Sequence, residues 1–499
     1  MKHILDGKNV CLRFPTGFGK TNCFVVPLIV RNCIVVVILP LISLVVDMFN
    51  KLKNRVAVIN LRNISVTRQL LRWTEATVVG GSSVFFLTTA EKLSGSGTFL
   101  EFLSQCQGIN ITYVFDEAHC LPTWGLEFRP ALLQTAKYYD SVADKQVVLL
   151  SATLSLLEQQ FITSVLNVSI DKTLSVLECR KNISYKELNV EYYNQRSIKQ
   201  VETDGRLLAT VLMESFPDLT HILVFKENRA AVREMAELLV EQGIPASWID
   251  STTSDGEKER RLLEWKAGNI KVLTGTSAIS LGIDNPDCSG ILHIGFPPSV
   301  YNFLQQSGRC GRKGQESLCL TLTDNSYAYN RMCSLIDKRE GFSTFSSVDV
   351  IKGNNSILGW FCVTQRRNCM QSLMIRYVDC DTDVEPCSKC SACLSPKNFP
   401  MLKLYPVLSI LLPRLQFMED PTKGCLLCIA KLLCGRKCNL VNNNDLHHWK
   451  EIGLFSFYSI QNVLYNLCLY IASGLLVGNL SYDKGKECVT NFHWGVRDC

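Results

Sequence analysis

Phe14-Pro-Thr-Gly-Phe-Gly-Lys-Thr21 is the stretch on which the fold turns. It follows a short apolar run at residues 10–14 and leads into apolar, helix-like sequence. A glycine turn between strand and helix lets backbone N–H groups and the helix N-terminus face a phosphate. Thr16, Gly17 and Gly19 shape such a loop, Lys20 reaches the outer phosphates, and the Thr21 hydroxyl is placed for magnesium. The strict pattern has glycine where Phe14 stands, so the loop needs support from elsewhere in the chain.

That support is Tyr113-Val-Phe-Asp116-Glu117-Ala-His119, two adjacent carboxylates just beyond a buried strand. Asp116 is suited to hold magnesium and Glu117 to polarise an attacking water, with His119 completing the motif. Ser151-Ala-Thr153 closes the next strand. Loop, acid pair and strand end together predict a nucleoside triphosphate site.

Around these motifs, residues 10–14, 33–39, 84–88, 112–115 and 146–150 read as near-continuous apolar strands, as in parallel sheets buried on both faces. The pattern resets at residues 221–225, 247–250, 271–274, 290–294 and 317–322, with helical sequence at 227–242 and 256–266. Two βα series predict an α/β protein with two doubly wound parallel-sheet domains, 1–178 and 179–335. In the second, Gln305-Gln-Ser-Gly-Arg309-Cys-Gly-Arg312 sets two arginines one helical turn apart, able to neutralise charge on transferring phosphate oxygens. The run from Thr274 through Gly282 to Asp284 follows a strand and is expected to couple nucleotide to a second ligand.

The chain has 499 residues, room for roughly three domains at about 150 each. With 47% apolar and 20% charged residues it is globular, which excludes wholesale disorder and a collagen-like rod. The net charge of +6 is uneven: residues 397–499 carry 11 Lys/Arg against 7 Asp/Glu, which suggests an anionic partner. No signal peptide opens the sequence, and the apolar stretches at 32–46 and 454–480 are too short or too interrupted for a membrane span. A soluble, intracellular protein is expected.

Of the 23 cysteines, 13 fall in residues 362–499. In a reducing compartment clustered cysteines read as metal ligands before disulfides. Cys369, Cys387, Cys390 and Cys393 have the spacing of a tetrahedral thiolate zinc site, with Cys380 as competitor; four cysteines make the site structural. Cys425, Cys428, Cys434 and Cys438, near His447 and His448, read instead as small hydrophobes of a buried helix.

The order of FPTGFGKT, LPLISL, DEAH, SATL, TSAISLGID and QQSGRCGRKG resembles a superfamily 2 helicase, over residues 5–396. The stretch Cys120-Leu-Pro-Thr-Trp-Gly-Leu-Glu-Phe-Arg-Pro130 is similar to the aromatic-rich loop of RecQ-type DNA helicases. The resemblance implies two RecA-like domains, a zinc-binding module at 336–396 and a degenerate winged-helix-like domain at 397–499. It also implies ATP, Mg2+ and Zn2+ as cofactors, single-stranded and duplex DNA as partners, 3′→5′ movement, and a nuclear site of action in a eukaryote. Trp124 and Phe128 can stack on unpaired bases with Arg129 beside them for phosphate. The region around His448 and Trp449 is expected to begin a late helix, and residues 481–486 to turn a hairpin.

The sequence also departs from that family. Only 15 residues precede Thr16, leaving no room for the segment whose glutamine reads adenine, as in a truncated product. Leu126 stands in place of a histidine and Lys313 in place of an acid. These departures favour a rival reading, a DNA-binding remnant without productive ATP use; intact Lys20, Asp116, Glu117, Arg309 and Arg312 oppose it.

Overall fold

The computed structural model describes all residues except 16–17, 63–65, 107, 126–130, 133, 135–144, 178, 191–196, 281–284, 298, 325–353, 355–356, 359–368, 380–381, 383, 397–401, 437, 439, 442–443, 445, 474, 484–487 and 497–499. Two compact units result: Met1–Leu177 with Leu480–Thr490, and Glu178–Asn479 with Asn491–Cys499.

The first unit runs β1 (Val10–Arg13), α1 (Lys20–Ile29), β2 (Ile34–Ile38), β3 (Ala57–Asn60), β4 (Val84–Thr88), β5 (Ile111–Phe115), α2 (Cys120–Gly125), β6 (Lys145–Ser151), α3 (Leu156–Leu166) and β7 (Lys172–Ser175), with further helices between. Its strands form one parallel sheet in the order β3-β4-β2-β5-β6-β1-β7. Every residue of β2, β4 and β5 is buried, which is why these segments are unbroken apolar runs. Because β5, β6 and β1 are neighbours, their carboxyl ends lie side by side, where parallel α/β sheets bind ligands.

The second unit contains β8 (Ile183–Asn189), β9 (Ile222–Phe225), α4 (Arg229–Glu241), β10 (Ala246–Ile249), α5 (Asp255–Lys266), β11 (Val272–Gly275), β12 (Gly290–Ile294), α6 (Val300–Ser307) and β13 (Ser317–Thr323). These strands make a second parallel sheet, β10-β11-β9-β12-β13-β8. The protein is thus α/β, with two RecA-like parallel-sheet domains. Beyond them come α7 (Met370–Val378), α8 (Tyr405–Gln416), α9 (Leu426–Leu433), α10 (Ile460–Ala472) and a two-stranded sheet of β14 (Leu476–Asp483) and β15 (Cys488–Val496).

Three strands escape the sequence reading, and all three are sheet edges: β3, β7 and β8. In β8 burial alternates, with Ile183, Tyr185 and Glu187 inside and Lys186 exposed, so no continuous apolar run marks it. The expected late helix at His448 and Trp449 is only a 3-10 turn, Leu446–His448. Trp449 instead lies under the Arg414 guanidinium, 3.7 Å from ring centre to carbon, and Arg414 pairs with Glu451 at 3.1 Å. Residues 484–487 between β14 and β15 lie outside the described residues. Among the described residues no helix is long and apolar enough to cross a membrane.

Candidate functional site

At the end of β1, Phe14 turns into the core of the first unit, its ring 5.0 Å from that of Phe18. This apolar packing accounts for a phenylalanine where the phosphate-loop pattern has glycine. Thr16 and Gly17 lie outside the described residues. Gly19 adopts φ +85° as the N-cap of α1, a conformation that excludes most side chains. Lys20 and Thr21 then open the helix, so the positive end of its dipole lies at Gly19.

Lys20 Nζ is buried and has no hydrogen-bond partner among the described residues. A buried ammonium without an acceptor is costly, and an anion at the loop would relieve that cost. Its charge is felt at Asp116, beyond β5. Asp116 is half-buried, and desolvation, with repulsion from Glu117, pushes its carboxyl up to about 6. Asp116 Oδ1 accepts the Glu117 N–H at 3.0 Å, and Glu117 takes φ +49°, in the left-handed region.

His119 lies under this pair. Its Nδ1 is 3.3 Å from Glu117 Oε2 and 2.9 Å from Ser151 Oγ, at the end of β6. Burial lowers its pKa to about 4, so the ring is neutral at physiological pH. A carboxylate only accepts, so the proton belongs on Nδ1, facing Glu117. The Ser151 hydroxyl in turn accepts the Thr153 N–H at 3.1 Å. One hydrogen-bonded path therefore joins the acid pair to the Ser151-Ala-Thr153 turn.

In the second unit, α6 ends at Ser307, so Arg309 and Arg312 sit in the turn after the helix rather than on it. Gly311, at φ +65°, ends any helical continuation between them. Arg309 is nine-tenths buried, and Arg312 Nε donates to the Gly308 carbonyl at 3.3 Å. Lys313, in place of the acid usual there, pairs on the surface with Asp287 at 2.5 Å. Behind the turn, His293 Nε2 meets Gln306 Oε1 at 2.9 Å, both buried. Gly282 and Asp284 lie outside the described residues, as do Phe128 and Arg129, while Trp124 falls on α2.

Cys369, Cys387, Cys390 and Cys393 converge, with all four sulfurs within 4.8 Å of one another. The separations from Cys390 are 4.0 Å to Cys369 and 3.5 Å to Cys393. Thiolates at about 2.3 Å from a tetrahedral zinc stand about 3.8 Å apart, so the set fits that ion. The Cys387 N–H points at Cys369 Sγ (3.2 Å) and the Met370 N–H at Cys390 Sγ (3.4 Å), contacts that favour the charged sulfurs. Cys380 lies outside the described residues. Cys425, Cys428, Cys434 and Cys438 are buried on and around α9 among leucines, and among the described residues they form no second ligand cluster.

Sequence reasoning passed over Arg180, Asn182 and Gln371, whose partners lie more than a hundred residues away. No local pattern marks them.

A strand-end phosphate loop, an acid pair at the end of another strand of the same sheet and an arginine turn on a second parallel sheet define a helicase of superfamily 2 architecture. Residues 1–161 match the DEAD/DEAH box helicase family and residues 206–314 the helicase conserved C-terminal domain. The ATP-dependent helicase SGS1 of Saccharomyces cerevisiae is 24% identical over 401 residues, covering 79% of this chain and 27% of that protein. The ATP-dependent DNA helicase RecQ of Haemophilus influenzae is 24% identical over 79% of this chain and 60% of its own length. That of Bacillus subtilis is 26% identical over 77% of this chain and 62% of its own. The chain belongs to the RecQ-type superfamily 2 helicases, and it spans from 27% to 62% of the length of these three relatives.

Proposed function

We propose that this chain is an ATP-driven motor that moves on single-stranded DNA and parts duplex DNA. The observation that carries this reading is Lys20: a buried ammonium with no acceptor among the described residues, its charge felt by Asp116 at the end of β5, one strand removed from β1 in the sheet. Such a place suits an anion next to a cation. Thr16, Gly17, Gly19, Lys20 and Thr21 hold the phosphates, and Asp116 and Thr21 would hold magnesium, which neutralises charge on the β- and γ-oxygens when bound. Glu117 orients and deprotonates the water, held in position by His119. Arg309 and Arg312 balance the charge on the transferring phosphoryl group, while Gly282 and Asp284 report nucleotide state to the DNA.

Trp124, Phe128 and Arg129 contact unpaired DNA by stacking and phosphate pairing. Cys369, Cys387, Cys390 and Cys393 would hold a structural zinc, which leaves no open position for chemistry. Movement 3′→5′, action in repair and recombination, and a nuclear location in a eukaryote rest on kinship with RecQ-type helicases.

The test is ATP turnover by the purified chain with and without single-stranded DNA, beside Lys20→Ala. DNA should stimulate the parent, and the variant should lose at least about a hundredfold in turnover. Equal, DNA-indifferent turnover in both would refute the motor and leave a DNA-binding protein without productive ATP use.

A further inference from the structure

The short segment 179–182, just ahead of β8, touches two places that are far apart in sequence. On one side it meets the cysteine cluster. Cys179 Sγ lies against the sulfur of Cys369 and donates to the Glu385 carbonyl at 3.3 Å. The Arg180 N–H donates to Gln371 Oε1 at 2.7 Å, and Gln371 Nε2 returns bonds to the carbonyls of Arg180 (3.1 Å) and Ile183 (3.3 Å). Gln371 is buried on the first turn of α7, two residues after Cys369.

On its other side the same segment grips the arginine turn. Arg180 Nη2 donates to the Gly311 carbonyl at 2.6 Å and Nη1 to that of Gly308 at 3.4 Å. Asn182 Nδ2 donates to the carbonyls of Gly311 (2.8 Å) and Gln315 (3.0 Å). Arg309 lies between the two gripped carbonyls, and Arg312 follows directly. Lys389, between two of the cysteines, pairs with both oxygens of Glu316 at 2.8 and 2.9 Å. That pair is exposed and contributes little by itself. The half-buried Arg180 fork is different, since its planar donors fix two carbonyls at once.

We propose that the cysteine cluster and segment 179–182 form a relay that holds the arginine turn in its hydrolytic geometry, with Arg180 as a positioning residue. The proposal rests on the nucleotide-hydrolysing reading above. It gives the metal module a task beyond its own folding: an ordered cluster fixes Gln371, Gln371 fixes the Arg180 backbone, and the Arg180 side chain fixes Gly308 and Gly311. A small displacement of a charge-stabilising group is costly to turnover, whereas ground-state nucleotide binding by the first unit's loop does not depend on it.

The experiment compares the full chain with Arg180→Ala and Arg180→Lys, measuring DNA-stimulated kcat and KM for ATP, bound zinc, and amide hydrogen exchange. Arg180→Ala should lower kcat by about ten- to a hundredfold with KM nearly unchanged. It should keep its zinc and speed exchange selectively at residues 308–314. Arg180→Lys, which has one compact donor group for two carbonyls, should recover part of the loss. Stripping zinc from the parent should speed exchange at the same residues. Unchanged exchange there in Arg180→Ala overturns the relay, as does acceleration spread evenly over the second unit. If the parent chain hydrolyses no ATP, the proposed function fails, and the exchange data still decide the relay.

Discussion

His119 Nδ1 and the Ser151 hydroxyl stand 2.9 Å apart, joining the acid pair after β5 to the last residue of β6. The bond is buried, and it orients the imidazole that faces Glu117 at 3.3 Å. Ser151→Ala removes one of the ring's anchors and the acceptor of the Thr153 N–H. A buried bond left half-made costs about 1–3 kcal/mol, and the loss should fall on turnover rather than nucleotide affinity. Steady-state kinetics should show kcat down about tenfold with KM little changed. An unaltered kcat would mean that Ser151 has no part in holding Glu117.

The acid pair also predicts a pH dependence. Asp116 is raised from 3.8 to about 6, so between these values the folded chain keeps a proton that the unfolded chain has released. Its contribution to stability therefore declines as pH rises through that window and stays unfavourable above it. In the proposed role of Asp116 magnesium takes the charged carboxylate, so its binding would expel the proton. Affinity for magnesium nucleotide should rise as pH climbs through 6 and level off above about 7. A fluorescent nucleotide titration from pH 5 to 8 measures this, and a flat profile in the parent would contradict it. Asp116→Asn should flatten the profile, abolish hydrolysis, and stabilise the nucleotide-free chain at neutral pH by about 1 kcal/mol.

Much of this was legible because chemistry and burial coincide in the sequence. β1, β2, β4 and β5 are fully buried, so hydrophobicity marks them, and Lys20 is placed by the end of β1 and Asp116 and Glu117 by the end of β5. Edge strands were lost for the opposite reason: the exposed Lys186 and buried Glu187 of β8 break any apolar signal. The arginine turn was read as helix because nothing local reveals that Gly311 takes φ +65°. The Arg180 fork was invisible, since its two carbonyl partners are 128 and 131 residues away and backbone acceptors carry no sequence signature.

The cysteine cluster makes a separable prediction. Cys390 is fully buried and is the sulfur from which the contacts to Cys369 and Cys393 are made. Cys390→Ser should bring bound zinc from about one ion per chain to nearly none and lower the thermal midpoint of the second unit by about 5 °C or more. Cys428→Ser, in the buried α9 group, should leave zinc content unchanged. Loss of one equivalent of zinc in Cys428→Ser would assign that group a metal.

Two glycines of the arginine turn separate backbone strain from crowding. Gly311 and Gly314 both adopt left-handed backbone, at φ +65° and +86°. A Cβ at Gly314 meets nothing within 4 Å, so Gly314→Ala should cost only the conformational strain, about 1 kcal/mol. A Cβ at Gly311 lies 2.5 Å from Asn182 Nδ2, 3.2 Å from Ser317 Oγ and 3.3 Å from the Gln315 carbonyl. Asn182 cannot withdraw without giving up its bonds to Gly311 and Gln315, so the clash is not relieved by a flexible side-chain end. Gly311→Ala should therefore destabilise by about 2–4 kcal/mol, strain and broken hydrogen bonds together. Chemical denaturation of the two variants should separate them by at least about 1 kcal/mol. Turnover should follow the same order, because only Gly311→Ala pushes against the segment that grips the carbonyls of the arginine turn. Equal stabilities would mean that Asn182 yields freely and that the turn is not held by segment 179–182.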